Sequence, residues 1–140
     1  MTPRTHIDQR AHNGRGGFTL IELLIVVVII GILASIAIPK FAATKEKAHI
    51  AKMKGDLRNL ATAQESYAST NFVYYAGALP NAVMAYNPSP GVTITIAVGS
   101  AAGWSATASM PGVTTKTCAL FVGGVPAPPP ASVEGQVACS

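Results

Sequence analysis

The chain has 140 residues, 49% of them hydrophobic and 11% charged, with a formal net charge of +4. That length allows one small domain plus an anchor, and the charge content is far below the roughly 25% usual for a soluble globular protein. The charge is too unevenly placed to argue for a polyanion partner: residues 1–17 hold Arg4, Arg10 and Arg15 against Asp8 for +2, and the rest holds seven Lys/Arg against five Asp/Glu for another +2.

Residues 1–17 read as a basic leader that ends in glycine. An apolar run follows, and from Leu23 to Ile38 it holds no charge. As a helix, positions 18–38 would span roughly 31 Å, the thickness of a bilayer core. Its β-branched stretch is no obstacle there, because lipid forces the backbone to pair within the segment. Gly31 is a soft point, and Pro39 ends the run, removes one backbone donor and favours a kink. One acid, Glu22, sits at the head of this run. An isolated carboxylate there costs several kcal/mol unless it is paired, so Glu22 implies a partner.

Three readings fit the run taken alone. One is a secretory signal peptide with its cleavage site near Ala34-Ser35-Ile36-Ala37, another is a plain signal anchor, and the third is a cleaved leader followed by a retained assembly helix. A charge inside the front of the apolar core disfavours the first two. The positive-inside rule conflicts with the order of the charges, since Lys40, Lys45, Lys47, Lys52, Lys54 and Arg58 follow the run and outnumber the leader's three arginines.

Ile50, Met53, Leu57, Leu60, Gln64 and Tyr67 then recur at alternating spacings of three and four. That is an amphipathic stripe with one polar interruption. Residues 18–70 are expected to form one helix, kinked near Pro39, apolar all round over 18–39 and on one face over 40–70. Lys52 and Asp56 are placed for an i,i+4 ion pair. The bases at 45, 47, 52, 54 and 58 read as a solvated face, with pairing to Glu46, Asp56, Glu65 or Glu134 of a neighbour as an intermediate reading. No aromatics interleave with them as a nucleic-acid stacking platform requires, so nucleic acid is not indicated.

Residues 71–140 read as a small β domain. Positions 71–91 form an irregular connection, broken by Gly77, Pro80, Pro88, Pro90 and Gly91. Strands are expected at 92–98, 104–110 and 115–122, as an antiparallel meander laid over the helix. Pro126 and Pro128-Pro129-Pro130 make the tail a loop. Trp104 is expected in the core, while Tyr74, Tyr75 and Tyr86 are left undecided between core and surface. Cys118 and Cys139 are even in number beyond an export segment, which favours a disulfide in an oxidising compartment. Its loop of about 20 residues is worth roughly 3 kcal/mol.

The stretch Gly17-Phe18-Thr19-Leu20-Ile21-Glu22, with the apolar run through Gly31 to Pro39, closely resembles the N-terminal segment of type IV pilins and the related pseudopilins. The resemblance covers about residues 14–41 and beyond that is architectural only. It implies an α+β pilin-like fold, with a long N-terminal helix packed on a small antiparallel sheet. It implies a prepilin peptidase that faces the cytoplasm, cuts between Gly17 and Phe18 and N-methylates Phe18. The helix then waits in the inner membrane with the C-terminal domain in the periplasm, until an assembly platform driven by a cytoplasmic ATPase extracts the subunit into a homopolymer. Glu22 would neutralise the new amino terminus of Phe18 on a neighbour and set register, and Gly31 and Pro39 would be the helix breaks. Cys118 and Cys139 would bound a loop near the C-terminus that shapes the filament surface.

The reading is therefore a structural subunit of an extracellular type IV pilus-like filament. The alternatives are a pseudopilin or minor pilin of a type II secretion-like system, a pilin for DNA uptake or adhesion, and a secreted domain behind an ordinary signal peptide. No nucleophile motif, phosphate loop or paired carboxylates point to catalysis, and no cofactor is expected. His6 and His12 fall in the leader, and His49 stands alone without a cluster at metal spacing.

Overall fold

The computed structural model describes residues 16–140, so the leader's charges at positions 4, 8, 10 and 15 lie outside the described residues. A helix, α1 (Leu20–Asn71), is followed by β1 (Thr93–Ser100), β2 (Gly103–Ser109), β3 (Thr117–Gly123) and β4 (Ala138–Cys139). The chain divides into two compact units at Pro39 and Lys40. Pro39 lies inside α1, and the helical assignment runs through both Gly31 and Pro39. Neither residue ends the helix. A proline removes only one hydrogen bond, and the bonds on either side carry the helix past it.

In the second unit, the predicted stripe on α1 is the face that packs. Met53, Leu57, Leu60 and Gln64 are fully buried, with Ile50 and Tyr67 at the margin. The four strands form one antiparallel sheet in the order β1-β2-β3-β4. Alternation along each strand supplies the rest of the core: Ile94 from β1, Trp104, Ala106 and Ala108 from β2, Cys118 and Leu120 from β3. The three expected strands are present, and β1 carries a register shift between Ile96 and Val98. The tail was expected to be all loop. Instead it returns as the two-residue β4, where Cys118 pairs with Cys139 and Ala119 with Ala138. The bond between Cys118 and Cys139 closes a span of 21 residues and leaves no free cysteine.

The connection from 72 to 92 has little regular structure of its own, and polar side chains on α1 hold it. Gln64 donates to the Tyr75 carbonyl (3.0 Å) and accepts from the Tyr75 N–H (2.8 Å), as a neighbouring strand would. This accounts for the polar residue in an apolar stripe. Asp56 accepts from the Ser89 N–H (3.1 Å) and hydroxyl (2.8 Å), and the Tyr86 hydroxyl donates to the Asp56 carbonyl (2.8 Å). Lys52 donates to the Pro90 carbonyl. The expected ion pair between Lys52 and Asp56 does not form: each side chain binds the connection instead, because a buried carboxylate gains more from two donors in place than from a flexible surface ammonium. Asp56 is thereby also removed from the acids that could pair with a neighbour's bases. Gly99 admits this connection closely, since a Cβ there would stand 2.2 Å from the Tyr75 carbonyl oxygen.

The tyrosines divide. Tyr86 is buried, while Tyr75 is half-buried and packs edge-on against Tyr67 with ring centroids 5.5 Å apart. Trp104 is fully buried as expected, with its indole N–H unpaired. At the end of α1, Phe72 turns the chain at φ 59°, in the left-handed region. That conformation costs a side-chain-bearing residue about 1–2 kcal/mol and is ordinarily filled by Gly or Asn.

Two outcomes follow from this packing. Cys118→Ser with Cys139→Ser should lower unfolding free energy by roughly 3 kcal/mol, the loop-closure value for a span of this size, read as a shift in urea midpoint. Burial, and then the nearby Asp56 carboxylate, push the Tyr86 phenol well above its ordinary range. The folded state therefore keeps that proton after the unfolded chain has lost it, so stability holds below about pH 10 and falls as the pH rises beyond it. Urea midpoints between pH 8 and 11 should show this fall, and Tyr86→Phe should flatten it.

Candidate functional site

The site is built at the head of α1. Residues 16–19 are non-helical and exposed, and Phe18 is 91% exposed. The bond between Gly17 and Phe18 thus lies in open chain just before the helix, and a Cβ on Gly16 or Gly17 would meet nothing within 4 Å.

Thr19 and Glu22 form a reciprocal cap. The Thr19 N–H and the Thr19 hydroxyl both donate to Glu22 Oε2 at 2.8 Å, and the Glu22 N–H donates to Thr19 Oγ1 at 3.2 Å. The helix's first backbone bond runs from the Leu23 N–H to the Thr19 carbonyl (3.3 Å). Thr-x-x-Glu before an apolar run is the capping-box pattern, and it was readable at positions 19–22 although the sequence reading missed it. Its effect is to occupy one oxygen of Glu22 within the chain. Oε1 has no protein partner among the described residues and stays available to a cation.

Beyond Glu22 the helix surface is apolar and uncovered by the described residues of its own unit. Between positions 23 and 38 the large apolar side chains are each 51–69% exposed. The mean hydropathy of the most apolar 18-residue window is 3.0, enough by length and composition to cross a membrane. The only hydroxyl in that stretch, Ser35, turns inward and donates to the Ile32 carbonyl at 2.7 Å, so it exposes little polarity.

The other candidates lie elsewhere. Cys118 and Cys139 join β3 to β4, and Gly31 and Pro39 lie within the helix. Lys45 sits over the Phe41 ring at 5.1 Å. Among the described residues no group of three metal-ligating side chains comes together.

Residues 12–38 match the family described as a prokaryotic N-terminal methylation motif. The type II secretion system core protein G of Pseudomonas aeruginosa is 42% identical over 60 residues, covering 43% of this chain and 42% of that protein. The core protein G of Escherichia coli is 42% identical over 65 residues, covering 46% and 45%. The type IV major pilin protein PilA of Myxococcus xanthus is 55% identical over 53 residues, covering 38% of this chain and 24% of the pilin. The chain thus spans less than half the length of these relatives.

If Thr19 holds Glu22 as drawn, Thr19→Val keeps the side chain's shape but removes the hydroxyl. The first turn should then loosen by about 1 kcal/mol, seen as faster hydrogen exchange at the amides of Glu22 and Leu23, which bond Thr19. By motif, by architecture and by these matches, this chain carries a prokaryotic N-terminal methylation motif similar to the N-terminal segments of type II secretion core G proteins and a type IV major pilin, on a pilin-like α+β fold.

Proposed function

We propose that this chain is the structural subunit of a type IV pilus-like extracellular filament. One observation carries the reading: a membrane-length apolar helix surface that no described residue of its own unit covers, headed by a single carboxylate four residues after an exposed Phe18. Such a surface is stable in lipid or against other copies of itself, and unstable in water.

In this reading residues 1–17 are a leader, removed by a prepilin peptidase that cuts after Gly17 and N-methylates Phe18. The helix holds the subunit in the inner membrane, with the cysteine-bearing domain on the periplasmic side, where the disulfide persists. A platform driven by a cytoplasmic ATPase moves the subunit into a homopolymer. The apolar halves pack together there, and Glu22 meets the amino terminus of a neighbouring Phe18. Two charges at contact in a dry core attract strongly, but losing water offsets much of that, so the pair sets register more than overall stability. Gly31 and Pro39 give the helix its soft points, and the loop bounded by Cys118 and Cys139 lies on the outer surface. The role is structural, without catalysis or cofactor.

The second reading is a pseudopilin of a type II secretion system. It is favoured by the two core G proteins among the relatives above. The fibre's position tells the two apart. N-terminal sequencing and intact mass of protein sheared from the cell surface should give a chain that begins at N-methylated Phe18. The same chain confined to the envelope would favour the secretion role, and a start after Ala37 would overturn both. Glu22→Ala should leave cleavage intact and reduce sheared filament severely, and a normal yield from that variant would refute the pairing.

A further inference from the structure

The globular unit is charged asymmetrically along its length. After Arg58 its only base is Lys116, the last residue of the connection between β2 and β3. The opposite end, where α1 finishes, carries Glu65 and Glu134. The Tyr74 hydroxyl donates to Glu65 at 3.1 Å, and the Gly123 N–H donates to Glu134 at 2.6 Å. Gly123 pairs with Gly103 beside the β1–β2 turn, and the Tyr74 N–H bonds the Ser100 carbonyl (3.1 Å), so both acids belong to that end. Phe72 stands there too, 87% exposed in its left-handed backbone conformation, with exposed Val73 next to it and exposed Ala101 and Ala102 in the turn. A strained, solvent-facing aromatic is an unfavourable choice for an isolated subunit.

At the other end lies an open groove of about 570 Å³, between α1 and the β2–β3 connection. Ala42, Lys45, Glu46 and His49 form its helix wall, and residues 112–115 form the other. Val113 is exposed on that second wall. Lys45 already sits over one aromatic ring, that of Phe41, and an ammonium at a groove lip can hold a second in the same way. Glu46 is the groove's one acid, against Lys45 within it and Lys47 and Lys116 beside it.

We infer that the occupant of this groove is a second copy of the chain, and that Phe72 is what enters it. The acidic, aromatic end of one globular unit meets the basic, grooved end of the next, and charge of opposite sign brings the two ends together in that orientation. Two different patches in contact make a heterologous interface, which extends as an open helical array unless the rotation closes it. The inference rests on the filament reading and supplies it with a contact between globular units, separate from the apolar helix.

The test places a benzophenone amino acid at Phe72 in the full-length chain, with irradiation of intact cells and peptide mapping of adducts. The expected product is a dimer joining position 72 to residues 42–49 or 112–115. Sheared filaments whose adducts map elsewhere overturn the contact and leave the filament reading standing. Dimers that map to the groove in cells without filaments support the contact and overturn that reading. No filament and no dimer overturns both. A second variant separates docking from folding. Phe72→Gly suits the left-handed backbone, so the Tm of the detergent-solubilised chain should hold or rise, while sheared filament falls at least tenfold. An undiminished filament yield from Phe72→Gly overturns the proposal.

Discussion

Everything in this molecule follows from what one helix must bury. α1 carries two incompatible surfaces in a single hydrogen-bonded element. Over its second half the apolar residues occupy one face, and the sheet in the same unit covers them. Over its first half they occupy every face, and no strand or loop among the described residues of that unit lies against them. At about 25 cal/mol per Å² of apolar surface, leaving such a segment in water is prohibitive. It is not a defect of packing. It is a surface suited to lipid or to another copy, and the filament reading is a transfer between the two.

The globular unit is correspondingly economical. Its core is one helical stripe against one face of a four-stranded meander, with small alanines at 106 and 108 of β2 fully buried in it. A unit this small has little apolar surface to spare for its long connection. Polar side chains on α1 hold the connection instead: Gln64 imitates a strand edge, and Asp56 supplies two acceptors to Ser89. Each such bond adds only about 1 kcal/mol net, but an unpaired partner at a buried site costs more than that. These bonds therefore select one conformation of the connection. The disulfide does the same for the tail, alongside the two-residue β4 and the bonds from Gly123 to Glu134 and from Gly135 to Phe121.

Much of this was legible in the chain. The spacing of Met53, Leu57, Leu60 and Gln64 specified which face of α1 packs, because helical period and burial are tied geometrically. Alternation located β1, β2 and β3 to within two residues at either end, and Pro111-Gly112 placed the turn between the last two. What was not legible depends on partners distant in sequence. Asp56 looks like the mate of Lys52 until Ser89 arrives 33 positions later. Gln64 looks like a flaw in the stripe until Tyr75 lies beside it. β4 is too short to carry a period and exists because Cys139 is drawn to β3. Phe72 gives no warning, since nothing in an Asn-Phe-Val sequence marks a left-handed turn. The capping box at Thr19 and Glu22 differs: its signal was local and present, but it was hidden behind the more conspicuous question of what a charge does beside a membrane.

That cap changes how the charge should be understood. A bare carboxylate at the mouth of a membrane helix would be drawn to water and would resist any move into a dry filament core. In this chain two donors from Thr19 already satisfy Oε2, and they stay with the subunit wherever it goes. The helix N-terminus adds its own partial positive charge. In the filament reading proposed above, desolvating Glu22 would therefore cost less than desolvating a free ion, and Oε1 would remain for the amino terminus that cleavage before Phe18 would create on a neighbour. In an uncut chain that cation would not exist, since the nitrogen of Phe18 is an amide. On that reading the cap would make the uncut chain tolerable in a membrane, the new amine would let the cut chain pair, and the same carboxylate would serve both states without a change in its position on the helix.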